Sequence, residues 1–385
     1  MATRWRHVLA QLSLSRWWAQ GPVAFAFLAC APLLLLNLVA IELESLLLPS
    51  LRRLEEALDG YALVFVIGHQ RSATTNVQRA LTASLGAAGH ATCSSDNGDL
   101  LGASLVAKAL LWPVRALADL VLRLLVDTAN HRMDVDAPLE EDLWMLHLGC
   151  SHGLVDSVFP SLLDVPTAMR DAACAGIGRA QLRFVRRCLA RSLYWRRVAP
   201  PATYVGCPLG FALLPPELLR EAFPTARWVL CSRHPTETMP SFVDLLANYH
   251  GVRPASSAES GSAGLPARLR FAARMETVAA EYSEPLLANL PRIAAAWAGD
   301  DGRCAPCDFG TWRGHEEAAL RELVAFLLPA LRDQPELWAA AAAAGAAAAH
   351  ATRETHAKRA ASASVLSSAT MARLVELHEG KPCEG

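Results

Sequence analysis

The stretch Tyr61-Ala-Leu-Val-Phe-Val-Ile-Gly-His-Gln-Arg-Ser-Ala-Thr-Thr-Asn76 decides how the chain is read. Residues 62–67 form a short apolar run of β-branched and aromatic types, the pattern of a strand buried on both faces. Gly68 breaks the run, and from about Asn76 the spacing of Val77, Leu81 and Leu85 is helical. A strand, a tight polar loop and a helix start make a cradle for an anion. The leading N–H groups of a helix have no intrahelical acceptor, and they carry the positive end of its dipole. Arg71 and the hydroxyls of Ser72, Thr74 and Thr75 add donors at the same point. The expected guest is a phosphate. The register also overlaps the nucleoside-triphosphate loop G-x-x-x-x-G-K-[ST], but Ala73 and Thr74 stand where the second glycine and the lysine belong. A core strand followed by an ordinarily capped helix is the plainer alternative.

Residues 226–246 repeat the same logic. Trp228 to Ser232 reads as a strand, Arg233 sits at its carboxyl end, and Pro235 opens a helix that carries Ser241. In a parallel α/β sheet, ligands bind beyond the carboxyl ends of the strands. Arg233 is therefore expected at the same edge as Arg71. A guanidinium is a natural fork for phosphate, and a nearby serine can donate to the same oxygens. Further strands are expected at 202–208 and 303–308. Residues 86–99 read as loop. Residues 181–197 read as an amphipathic helix whose arginines form a solvated outer face or attract acidic glycans. Helices are also expected at 215–223, 272–281, 284–297 and 316–331, and along the alanine run 339–349.

Together these segments resemble a family. The run from Phe65 to Thr75 is similar to the 5′-phosphosulfate loop of sulfotransferases, usually Pro-Arg-Ser-Gly-Thr-Thr or Pro-Lys-Ser-Gly-Thr-Thr. The eight-residue spacing of Arg233 and Ser241 resembles the family's 3′-phosphate motif. Asp136, Pro138, Glu140, Glu141 and Asp142 resemble the Asp-x-Pro-x-Glu-Glu-Asp segment of the broad "family 3" group. The resemblance implies 3′-phosphoadenosine 5′-phosphosulfate (PAPS) as co-substrate and no metal. It implies nucleotide binding by Gly68, His69, Gln70, Arg71, Ser72, Ala73, Thr74, Thr75, Arg233 and Ser241, and by Lys358 and Arg359 in a late basic segment. Arg71 would also stabilise charge on the leaving group. Sulfuryl transfer to a hydroxyl needs a base, and Glu141, Glu140 and His131 are the candidates. Pro138 with acids in the first turn is equally good helix-start chemistry. Three positions depart from the family pattern: Gln70 replaces proline, Ala73 replaces glycine, and Gly206 replaces the lysine of Lys-x-Pro. If residue 73 needs positive φ, alanine there is strained.

With 385 residues, 52% of them hydrophobic, and a mean hydropathy of +0.22, the chain can bury a large core. A net charge of −1 gives no electrostatic case for nucleic-acid binding. No charged residue occurs from Trp17 to Ile41, and the run is long enough to cross a bilayer core of ~30 Å. Arg4, Arg6 and Arg16 precede it, and Glu42 and Glu44 follow, which orients the N-terminus to the cytosol. Packing of the run on the body as a buried or monotopic helix, or a transit peptide in the first twenty residues, are the rivals. Of ten cysteines only Cys304 and Cys307 are closely spaced, as a small disulfide or two thiols, and no zinc set is completed.

The fold expected is α/β, a P-loop-like three-layer parallel sheet flanked by helices, with an N-terminal membrane helix. The expected division is a cytosolic tail at 1–20, a signal anchor at 21–48, a linker at 49–60 and a sulfotransferase domain at 61–385. The function expected is a single-pass membrane protein, of the Golgi lumen if the source is eukaryotic, moving the sulfuryl group from PAPS to a hydroxyl acceptor, a saccharide or lipid by membrane placement. The alternatives are a nucleotide-binding, catalytically weak membrane protein acting by binding, and a P-loop kinase.

Overall fold

The computed structural model describes residues 31–116, 119, 139, 141, 144, 168–249, 272–273, 275–298, 302–354 and 366–379. A five-stranded sheet organises them, in the order β2-β3-β1-β4-β5. The strands are β1 (Ala62–Gly68), β2 (Thr92–Cys93), β3 (Thr203–Gly206), β4 (Arg227–Ser232) and β5 (Cys304–Asp308). Every neighbouring pair is parallel, so all five carboxyl ends lie along one edge. Strand β2 falls inside the stretch expected to be loop. Its two residues carry too little pattern to register as a strand.

Around the sheet run α1 (Ala31–Leu47), α2 (Pro49–Glu56), α3 (Thr74–Ala87), α4 (Leu105–Leu111), α5 (Ala168–Trp195) and α6 (Pro216–Ala222). They are followed by α7 (Pro235–Tyr249), α8 (Glu284–Ala298), α9 (Glu316–Leu327), α10 (Pro335–Glu354) and α11 (Ser368–His378). The period-two alternation of β1 sorts its side chains between two cores. Leu63, Phe65 and Ile67 pack with α5, α6 and α8 on one face. Val64 and Val66 pack with α3, α9 and α10 on the other. The expected three-layer arrangement is thus present. Helix α10, the alanine run, lies closely on α3. A Cβ added at Gly345 would overlap the Ser84 hydroxyl and lie 2.8 Å from the Ala80 carbonyl oxygen.

The N-terminal expectation is changed in detail. Helix α1 covers Ala31–Leu47 of the expected 21–48 anchor, and its inner face is occupied by the body. Asn37 Oδ1 accepts from the Ser104 N–H and hydroxyl at 2.8 and 2.9 Å. Glu44 accepts from the Val106 N–H at 2.9 Å and from Arg191 Nε at 2.8 Å. Residues 21–30 lie outside the described residues. Among the described residues no helix is long and apolar enough to cross a membrane. The expected linker begins as a helix, α2, which seats Leu51 in the core.

Three arginines of α5 face carboxylates rather than water, while Arg179 and Arg183 stay exposed. Arg186 pairs with Asp59, Arg187 with Glu42 and Glu55, and Arg191 with Glu44 and Glu55. The Arg191 side chain is wholly buried and also donates to the Ile41 carbonyl at 2.7 Å. The charge run is a seam that fastens α1 and α2 to the body. Arg191→Met leaves Glu44 and Glu55 without this partner, and removing one member of a buried pair costs about 3–5 kcal/mol. Urea denaturation is expected to show that loss. An unchanged midpoint would mean that α1 is not docked on α5.

Candidate active site

The carboxyl ends of β1, β4 and β5 carry the candidate site. At the end of β1, Gly68 pairs in register with Cys231. A Cβ at 68 would overlap the Cys231 carbonyl oxygen and lie 2.7 Å from Ser72 Oγ. Glycine is required there by close approach. The loop then turns through two left-handed residues, Arg71 at φ 68° and Ala73 at φ 69°. The second is the N-cap of α3. No N-cap side chain caps this helix and no acid lies in its first turn, so among the described residues its leading N–H groups have no local side-chain acceptor.

The loop residues divide by direction. The Ser72 hydroxyl donates to the His69 carbonyl at 2.5 Å and closes the turn. The His69 ring is buried, with Nδ1 2.8 Å from the Gln70 carbonyl and Nε2 2.9 Å from Ser283 Oγ. A carbonyl only accepts, so Nδ1 carries the proton and Nε2 accepts from the serine. Burial holds the His69 pKa down to about 4. The Gln70 side-chain amide meets the Tyr282 hydroxyl. The side chains of His69, Gln70 and Ser72 therefore brace the loop from within, and any contact of theirs with a guest is through the backbone. Thr74 is buried and Thr75 half-buried at the start of α3.

Arg71 is brought to the other arm of the site. Its Nε donates to Ser241 Oγ on α7 at 2.8 Å. Arg233, one residue beyond β4, donates from Nη1 to the Arg71 carbonyl at 3.2 Å and from Nε to Glu237 at 2.9 Å. Its guanidinium lies 4.3 Å from the Phe309 ring centroid. Arg71, Ser241 and Arg233 thus form one cluster at one edge of the sheet. Phe309 and Glu237 were not anticipated. The signal was available, because Phe309 directly follows β5 and so falls at the same edge.

Glu141 is the one base candidate among the described residues. His131 and Glu140 lie outside them, as do Lys358 and Arg359. Glu141 is fully buried and accepts from the Tyr204 hydroxyl at 2.5 Å and the Cys207 N–H at 2.6 Å. Burial first, and then the Glu141 charge, push the Tyr204 hydroxyl well above the usual phenol range, which keeps it a donor. The carboxylate explains Gly206. A Cβ there would lie 2.8 Å from Glu141 Oε1 and 3.0 Å from Phe65, so Glu141 fills the space in which a side chain at 206 would begin.

The Cys304–Cys307 spacing does not make a disulfide. Both residues lie on β5 three positions apart, ~10 Å in an extended strand, beyond the reach of an S–S bridge. Both are free thiols. Cys307 instead faces Cys231 in register on β4. Among the described residues no group of His, Cys, Asp or Glu is placed to hold a metal.

No sequence-family profile matches the chain, and no curated protein matches it by sequence. Its structure is similar to that of sulfotransferase STF9 from Mycobacterium avium, with a TM-score of 0.51 and 16% identity over 83% of this chain and 74% of that one. Sulfotransferase STF1 from Mycobacterium tuberculosis aligns with a TM-score of 0.47 and 16% identity over 83% of each chain. The STF9 likeness establishes a sulfotransferase-like fold.

Two outcomes follow from the loop. Ala73→Gly relieves a left-handed L-residue, so it is expected to stabilise the protein by about 1 kcal/mol in thermal or urea unfolding. No gain would mean that residue 73 does not hold this conformation. The depressed His69 pKa makes the unfolded state bind more protons than the folded one between pH ~6.5 and ~4. Stability is therefore full above that window and falls as pH drops through it. His69→Asn is expected to flatten the fall, and an identical pH profile would show that His69 is not buried neutral.

Proposed function

We propose that this chain is a PAPS-dependent sulfotransferase that moves the sulfuryl group to a hydroxyl of a saccharide or lipid. One observation carries the reading: Arg71, bonded to Ser241 at 2.8 Å, shares the strand edge with Arg233 and with the uncapped start of α3. Such a cluster suits a nucleotide with anionic groups at two ends. The 5′-phosphosulfate would lie on the loop from Gly68 to Thr75, with Arg71 stabilising charge on the departing bisphosphate. Arg233 and Ser241 would hold the 3′-phosphate. Arg233 Nη2 has no hydrogen-bond partner among the described residues, and the Phe309 face and Glu237 fix the rest of the guanidinium. Lys358 and Arg359 would close over the nucleotide.

In the transfer, the acceptor oxygen bonds to sulfur and the bond from sulfur to the phosphate oxygen breaks. The acceptor's proton passes to a base of the 131–142 segment. Glu141 is the first candidate, because Tyr204 and the Cys207 N–H fix it beyond the carboxyl end of β3, and Glu140 and His131 are the others. We propose further that the N-terminal run up to Ile41 holds the body at a membrane, which favours a lipid or saccharide acceptor.

One observation favours a second reading, a nucleotide-binding protein with weak transfer. The strained Ala73 and the filled space at Gly206 remove the glycine and the cation of the family pattern. A labelled-sulfate transfer assay over glycan, lipid and phenol acceptors, beside binding of adenosine 3′,5′-bisphosphate, separates them. Transfer from PAPS is expected. Binding without transfer selects the second reading, and preference for ATP selects a kinase. Arg233→Ala is expected to weaken bisphosphate binding by about ten- to a hundredfold, as for loss of a charge-assisted phosphate contact. Unchanged affinity would remove Arg233 from the site.

A further inference from the structure

Helix α1 has a second face that the body does not use. Val39, Leu43, Leu46 and Leu47 recur at helical spacing along it, and Leu46 and Leu47 are 77% and 73% exposed. Glu44 of the same helix is buried against Arg191; Glu42, 67% exposed and paired with Arg187, marks the edge of this aliphatic stripe. The neighbouring helix continues it. Glu44 ties α1 to the start of α4 through the Val106 N–H, and on α4 Val106 and Leu110 point outward one turn apart, Leu110 at 58% exposure. Trp112 follows at 62% exposure, its ring edge-on to Trp195 at 6.3 Å. The patch is therefore aliphatic at one side and aromatic at the other. Arginines edge it at the aromatic side, with the Arg115 guanidinium 5.8 Å from the Trp112 ring centroid and exposed Arg197 just after Trp195.

Soluble proteins rarely leave an apolar surface of this kind uncovered. We propose that the outward face of α1 and α4, with Trp112 and Trp195, lies on a lipid bilayer, so that α1 rests in the plane of the membrane interface rather than standing across it. Two observations select a bilayer over a second copy of the chain. Helix α1 is the described end of the uncharged run that begins at Trp17, so this face belongs to the most apolar part of the sequence. The order of side chains also matches an interface, with aliphatic groups to enter the acyl region and tryptophans at headgroup level. The arginines have stems that can run along the apolar surface while their charge stays in water. The polar face of α1 is already satisfied by Ser104, Val106 and Arg191, so an in-plane helix leaves none of these groups in hydrocarbon.

This inference rests on the membrane attachment proposed above and is independent of sulfuryl transfer. The test uses the full chain with the photoreactive residue p-benzoylphenylalanine replacing Leu47 or Leu110, and replacing exposed Arg321 on α9 as control. The protein is irradiated on vesicles of phosphatidylcholine and phosphatidylserine and analysed by mass spectrometry, with pelleting of the vesicles followed in the same samples. Lipid adducts at 47 and 110, with none at 321, are expected. Pelleting without lipid adducts leaves the attachment standing and overturns the docking face. Crosslinks only to a second copy, or to residues 1–30 of the same chain, overturn it in favour of that occupant. Failure to pellet removes the membrane reading and this inference with it.

Discussion

The close passage of Gly68 against the Cys231 carbonyl is the constraint on which the site depends. With no side chain at 68, β1 and β4 can end side by side and the loop after β1 can fold back over its neighbour. That places the Arg71 carbonyl within reach of Arg233 and the Arg71 side chain within reach of Ser241. The two arginines are 162 positions apart in sequence, yet each follows its strand by one to three residues. Parallel pairing converts that local position into a common place in space. The remaining loop side chains support this arrangement from within, where a buried neutral histidine and a glutamine meet Ser283 and Tyr282.

A second set of buried polar groups works at the other end of the sheet order. Glu141 ties a segment far from β3 in sequence to the end of that strand through Tyr204 and Cys207. Burying a carboxylate is costly unless donors surround it. Here a phenol and a backbone N–H supply them, and the glycine at 206 gives the carboxylate room. The missing side chain at 206 and the buried acid at 141 are therefore one feature, and neither can change alone without disturbing the other.

All strands but the two-residue β2 were legible, most plainly where a strand buried on two faces writes a continuous apolar run, as 62–67 does. The positions of Arg71 and Arg233 followed from the rule for strand ends. Direction was not legible. Nothing in the spacing of His69, Gln70 and Ser72 says that their side chains turn inward, because that depends on the two left-handed residues of the loop and on partners in α7 and in the turn just before α8. The arginines of α5 misled for a related reason. A basic stripe looks the same whether water or carboxylates face it, and the carboxylates come from α1, α2 and the turn after α2, more than a hundred residues away. Hydropathy alone likewise could not show that Asn37 and Glu44 turn α1 onto the body. Phe309 carries no periodicity to mark it, and only its place directly after β5 points to the site.

Between residues 339 and 349 helix α10 is alanine but for Gly345, and that composition suggests a segment indifferent to change. Its packing says otherwise. Gly345 sits where no larger residue fits against Ser84 and the Ala80 carbonyl, and the Ala349 carbonyl accepts from Asn76 at the first turn of α3. The alanine run is thus a spacer whose length matters more than its identity. Gain or loss of a single alanine before Gly345 would swing that glycine about 100° around the helix and present a methyl group to α3 instead. The anion loop, at the leading end of α3, would then be displaced from behind by a stretch of sequence that bears no functional group.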